Sequence, residues 1–157
     1  STKGLARALA RRPEGGTDGG IYLGLGQIRS QQRRYAEAVD LLSQAVEKGA
    51  RNSFVYGQLA YAQLSLNRNE EAIETFEKAF EAGIPPGANT RGLAYYNMAC
   101  GYSRLKNYDK AFEMLNKAVD EGFETRNTYE KDTDLDALRA DPRFEKLLAR
   151  MPKPAGD

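Results

Sequence analysis

Ala38-Val39-Asp40-Leu41-Leu42-Ser43-Gln44-Ala45, Ala72-Ile73-Glu74-Thr75-Phe76-Glu77-Lys78-Ala79 and Ala111-Phe112-Glu113-Met114-Leu115-Asn116-Lys117-Ala118 are one phrase written three times. Within each copy the apolar residues recur at the spacing that gathers them on one side of an α-helix. A second helical stretch precedes every copy: Tyr22, Leu25 and Gly26 before the first, Tyr56, Leu59 and Ala60 before the second, Tyr95, Met98 and Ala99 before the third. A hydrophilic turn separates the two stretches, so the sequence predicts a helix-turn-helix unit repeated three times. The first two units are 34 residues apart and the third is displaced by five more. The excess falls in Pro85-Pro86-Gly87-Ala88-Asn89-Thr90, a turn-forming run that cannot continue a helix, which predicts an insertion loop over 87–91.

Small residues hold fixed places in this pattern. Gly26, Ala60 and Ala99 on the first helix of each unit, with Ala38, Ala72 and Ala111 on the second, allow antiparallel helices to approach closely while Tyr, Leu and Phe fill the space beside them. These residues resemble the tetratricopeptide-repeat (TPR) signature W-x2-L-G-x2-Y…A-x3-F…P, one helix-turn-helix per 34 residues. The resemblance covers roughly residues 19 to 123 and departs from the signature in places. Tyrosine stands for tryptophan in all three units, Arg29 and Gln63 occupy the second aromatic position that Tyr102 retains, and Ala50 and Phe123 stand at the closing proline position.

The resemblance implies an all-α fold, a right-handed α-solenoid of three TPR units at 19–52, 53–86 and 92–125, with helical caps at both ends. Terminal repeats of a solenoid would otherwise leave an apolar face in water. Leu5, Ala8 and Pro13 reproduce the second half of the signature, so residues 1–18 read as the second helix of a preceding repeat followed by a Gly-rich turn, which implies a longer parent chain. At the other end, within 126–157, Asp132–Arg139 and Asp141–Leu148 read as two short helices; Asp141 at the N-cap and Pro142 at the first helical position mark the second start. The phrase Asp-x-Leu-x-x-Leu-Arg-x-Asp-Pro-Arg-Phe-x-x-Leu-Leu is similar to the closing segment of many bacterial TPR modules, whose role is to cover the last repeat.

Composition narrows the function. Hydrophobic residues at 41% and charged residues at 29% describe a folded chain rather than a disordered tail. The sequence contains no histidine, which removes the commonest general base near neutral pH and the commonest zinc, copper or non-haem iron ligand. Serine hydrolases with a histidine base, papain-like proteases and histidine-bearing metal sites are thereby excluded. Glu70, Glu71, Glu74 and Glu77 fall at the spacing of an exposed helical face beside Lys78, and Gly15 to Gly20 lack the Gly-Lys-Ser/Thr ending of a phosphate loop. No enzyme activity, small-molecule substrate, metal or cofactor is expected. No apolar run reaches the roughly 20 residues of a membrane span. The single Cys100 cannot form an internal disulfide, which places the cytoplasm ahead of the periplasm.

Net charge is +1, yet residues 1 to 34 hold seven Lys/Arg against Glu14 and Asp18. That basic end reads as a solvated surface or a domain junction. Nucleic-acid binding through Lys3, Arg7, Arg11, Arg12, Arg29, Arg33 and Arg34 is disfavoured by the lack of interleaved aromatics. In the TPR family the first helix of each unit lines a concave surface that receives a peptide, so the resemblance implies a protein-interaction scaffold. The alternative is self-association into a homo-oligomer through exposed repeat surfaces. Carried over position by position, the groove-facing residues are Leu23, Gln27 and Gln31 in the first unit, Phe54, Gly57, Gln58 and Tyr61 in the second, and Tyr96, Asn97, Cys100 and Arg104 in the third. Gln and Asn both donate and accept, which suits the backbone of an extended peptide, and Tyr provides wide contact at low entropy cost. The clamp that grips acidic chaperone tails is missing: its positions fall on Leu23, Gln27, Gln58, Leu93 and Asn97, which lack the two lysines and the arginine that would pair with carboxylates.

Overall fold

The structure, a computed structural model, describes residues 18–153; the N-terminal capping helix and Gly-rich turn expected over residues 1–18 lie outside the described residues except for Asp18, which opens the first helix instead of closing a turn. The three repeated phrases form the second helices of three hairpins. These pair α1 (Asp18–Gln31) with α2 (Tyr35–Glu47), α3 (Ser53–Ser65) with α4 (Asn69–Glu81), and α5 (Leu93–Arg104) with α6 (Tyr108–Asp120). The small-residue rule holds in detail. Ala38, Ala60, Ala72, Ala99 and Ala111 are all fully buried. At Gly26 a Cβ would sit 2.7 Å from Leu42 Cγ, so α1 and α2 meet more closely there than even alanine permits.

The same turn joins the two helices of every unit. Arg33, Asn67 and Lys106 each adopt a left-handed backbone (φ 59°, 61° and 61°), and the residue after each returns an N–H to a carbonyl five residues back. Arg34 donates to Arg29 O, Arg68 to Gln63 O and Asn107 to Tyr102 O, which satisfies carbonyls that a helix end leaves unpaired. Units then stack through their side chains. Phe80 of α4 lies against Tyr95 of α5 with ring centroids 4.5 Å apart.

The insertion is wound rather than looped. Ala88–Gly92 forms a single π-helical turn that runs directly into α5, with Gly92 N donating to Gly87 O at 2.8 Å. Long-range bonds hold it: Gly87 N donates to Glu121 Oε2 at 3.1 Å, and Arg91 donates to Ile84 O at 2.9 Å while pairing with Glu121.

The C-terminal segment comprises α7 (Arg126–Lys131), a 3-10 helix (Thr133–Leu138) and α8 (Pro142–Ala149). The Asp132–Arg139 stretch is therefore a 3-10 helix, preceded by a short α-helix with no counterpart in the sequence reading. Asp141 caps α8 by accepting from Arg143 N at 2.9 Å, ahead of Pro142. Tyr129, Leu135, Leu138 and Leu147 are buried in one core cluster with the second and third units, whereas Ala38, Val39, Leu42, Leu59 and Ala62 form a separate, smaller cluster around the first.

Candidate functional site

Three parallel first helices and the π-turn surround a concavity of about 820 Å³. Gln27 and Gln31 of α1 form one wall. Phe54, Gly57, Gln58 and Tyr61 of α3 form the floor, and Asn89, Leu93 and Asn97 form the opposite wall. A Cβ at Gly57 would meet nothing within 4 Å, so the helix backbone itself is open to the groove. Thr90 stiffens the far wall by donating its hydroxyl to Pro85 O at 2.7 Å. Five large apolar side chains are exposed among the described residues, and three of them, Phe54 (52%), Tyr61 (44%) and Leu93 (38%), line this one concavity. The others, Ile28 and Leu105, lie outside it.

The structure thus brings together Gln27, Gln31, Phe54, Gly57, Gln58, Tyr61 and Asn97 from the sequence expectation. The remaining four are elsewhere. Leu23 is half-buried against the first unit's core cluster. Tyr96 and Cys100 are only 4% and 3% exposed, and Arg104 is occupied by internal partners. The helical spacing of these three residues is as read, but the chain's own C-terminal segment folds over that face. Tyr96 donates its hydroxyl to Asp132 Oδ2 at 2.5 Å, and Ser103 donates to Asp134 O at 2.9 Å. Arg104 donates to both carboxylate oxygens of Asp134 at 3.1 and 2.9 Å, to Leu64 O at 2.7 Å and to Asn69 Oδ1 at 3.2 Å. The concave face of the third unit is filled from within, and the open groove belongs to the first two units and the start of α5.

Arg33, Tyr35, Asn89 and Thr90 also line the groove, and helical spacing does not single them out. All four lie in the turns between helices or at a helix start, where a pattern confined to helix faces has no reach.

The covered face has its own electrostatics. Burial pushes the Cys100 thiol well above the ordinary thiol range, and Asp132 and Asp134 push it further. Such a thiol stays protonated, the opposite of an activated nucleophile. Cys100 Sγ and the carboxylates of Asp132 and Asp134 lie within 4.8 Å of one another. Those carboxylates are already spent on Tyr96, on Asp134 N and on Arg104, so the set is a hydrogen-bonded joint rather than an open ligand sphere. Burial also raises Tyr96 and Tyr129 above the phenol range, with Cys100 adding to both.

All three groups hold their protons in the folded chain at pH values where the unfolded chain releases them. Their stabilising contribution is complete below the ordinary thiol value near 9 and is lost as pH rises beyond it. Unfolding free energies from urea denaturation are expected to be flat from about pH 7 to 8.5 and to fall above about pH 9, by up to about 1.4 kcal/mol per pH unit for each group held neutral. Cys100→Ala should move the onset about one unit higher, toward the phenol range; an unchanged onset would remove Cys100 from the account.

Three helical hairpins stacked side by side around a shared concave face define a helical-repeat solenoid. Tetratricopeptide-repeat family models match residues 29–83 and again residues 93–121, together more than half of the chain. The chain belongs to the tetratricopeptide-repeat family. It is similar to a chloroplastic protein of Arabidopsis thaliana, with 34% identity over 90 residues that make up 57% of this chain and 26% of that protein. The chain therefore spans about a quarter of that relative's length. Among solved structures it is similar in fold to MamA (TM-score 0.74, 17% identity, covering 94% of this chain and 82% of that one). It is likewise similar to YrrB, described as a TPR protein with an unusual peptide-binding site (TM-score 0.69, 17% identity, 95% and 77%). A MamA structure from AMB-1 is 28% identical at a TM-score of 0.63, covering 76% and 61%. No helix among the described residues is long and apolar enough to cross a membrane.

Proposed function

We propose that this chain is a protein-interaction scaffold that holds an extended segment of a partner protein in the concave groove of its first two units. The carrying observation is the gathering of Phe54, Tyr61 and Leu93, exposed and apolar, in one amide-lined concavity. Exposed apolar side chains clustered in a concave site are what a binding surface presents, whereas scattered ones are ordinary. Gln27, Gln31, Gln58 and Asn97 supply donors and acceptors for a peptide backbone, which an extended strand leaves unsatisfied along its length. The fold likeness to YrrB supports the reading, since the same architecture accommodates peptide binding there. Because Leu23, Gln27, Gln58, Leu93 and Asn97 stand at the clamp positions without the two lysines and the arginine that would pair with carboxylates, acidic chaperone tails are not the expected ligand. Self-association is the weaker reading, since the apolar groups exposed outside the groove, Ile28 and Leu105, sit on different units.

A Phe54→Ser, Tyr61→Ser double substitution is expected to leave the fold intact, because both side chains are largely exposed. Against heptapeptides selected for binding to the intact chain, it should weaken affinity by at least about tenfold in fluorescence anisotropy. Equal affinity for the two proteins would move the interface out of the groove.

A further inference from the structure

Among the described residues the groove has one charge. Of the described side chains that line it, Arg33 alone is ionised, and its guanidinium has no ion-pair or hydrogen-bond partner among the described residues, unlike those of its neighbours Arg29 and Arg34, which both meet Glu37. Two phenols accompany it. Tyr35 and Tyr61 meet edge to face with ring centroids 6.1 Å apart, and the positive charge of Arg33 acts on the Tyr61 hydroxyl. Among the described residues, no carboxylate lines the concavity to compete for that cation. Position 33 does not call for arginine on backbone grounds: it is the left-handed turn residue, and the second unit places Asn67 at the equivalent turn with nearly the same φ. Asparagine suits that conformation better than arginine.

The groove is polarised by this arrangement. Arg33, Tyr35 and Tyr61 sit where the first helices end, whereas Phe54 and Leu93 sit where α3 and α5 begin. From Phe54 to Tyr61 the rise along α3 is about 10 Å, and an extended chain advances about 3.3 Å per residue. We infer that the groove, read as above as a peptide site, selects an extended segment carrying a bulky apolar side chain and, about three residues away, an Asp or Glu side chain that meets Arg33 beside the two phenols. The apolar residue lies against Phe54 and Leu93, the amides take the intervening backbone, and the carboxylate supplies the charge that Arg33 lacks.

Phage-displayed random heptapeptides, which carry no free C-terminal carboxylate, test this when selected in parallel against the intact chain, Arg33→Asn and Phe54→Asp. The intact chain should enrich Asp or Glu about three positions from an apolar residue, and Arg33→Asn should lose the acidic preference while keeping the apolar one. A selected peptide made with Glu and with Gln should differ roughly tenfold in affinity for the intact chain at low salt, and not at all for Arg33→Asn. An enriched sequence without an acidic position, or an acidic preference that survives Arg33→Asn, overturns the inference and leaves the groove reading standing. Selected peptides that bind Phe54→Asp unchanged, or no enrichment by the intact chain, overturn the groove reading itself.

Discussion

Tyr129→Ala should cost about 3 to 5 kcal/mol of unfolding free energy, the largest loss expected from any single substitution discussed for this chain. Tyr129 is fully buried where α7 meets the third unit. Its ring stands edge-on to Tyr96 at 5.2 Å and lies 6.0 Å from Phe123, which itself lies 4.9 Å from Tyr96. Its hydroxyl donates to Phe123 O at 2.5 Å, at the point where α6 has ended and the chain turns toward α7. Truncation therefore leaves a cavity among aromatic rings that cannot close around it, together with an unpaired carbonyl. Tyr129→Phe keeps the ring and removes only the donor, so about 1 to 1.5 kcal/mol is expected from it. Urea denaturation followed by circular dichroism measures both. A loss below about 1 kcal/mol for the alanine variant would show that the C-terminal segment contributes little to the folded array.

Arg104→Met is the second, with an expected loss of about 2 to 3 kcal/mol. The guanidinium ties three elements together: Leu64 at the end of α3, Asn69 at the start of α4 and Asp134 in the 3-10 helix. Methionine keeps much of the stem's packing and removes every donor. Both partners of the Arg104–Asp134 pair remain about a quarter to a third exposed, so solvent screens the pair itself. A double-mutant cycle with Asp134→Asn should accordingly assign only about 1 kcal/mol to the ion pair, the remainder belonging to the bonds with Leu64 O and Asn69. A coupling near the full loss would mean instead that the charge pair carries the joint.

How far the sequence reaches can be seen in these same residues. Ala38, Ala72 and Ala111 announce the second helices because complete burial imposes a period that the order of residues displays by itself. Asp141 and Pro142 announce α8 because capping is local chemistry. The π-turn at Ala88–Gly92 is hidden, since Glu121, about thirty residues away, supplies the acceptors that hold it. The groove is half legible for a related reason. The family resemblance assigns Tyr96, Cys100 and Arg104 to the concave side of α5, but it is silent on what lies against that side, and residues 132–134 return from the C-terminal segment to cover these three. Arg33 escapes because its position depends on a turn, where helical spacing stops.

The division of the core into two clusters has a thermodynamic consequence. In a linear array, each unit is stabilised by itself and by its neighbours, without one pooled interior. Among the described residues, the first unit leans chiefly on Leu59 and Ala62 of its neighbour, whereas Ala60 and Leu64 of α3 and the elements from α4 to α8 share one continuous interior. Amide hydrogens of α1 and α2 should therefore exchange through cheaper openings than those around Tyr129 and Leu138, and equal protection along the chain would refute the division. The groove straddles the seam: Gln27, Gln31 and Tyr35 stand on the fraying side, and Phe54, Leu93 and Asn97 on the firm side. A segment seated there would act as a splint across two cooperative blocks, so that occupancy is registered as slower opening of helices that the ligand only partly touches.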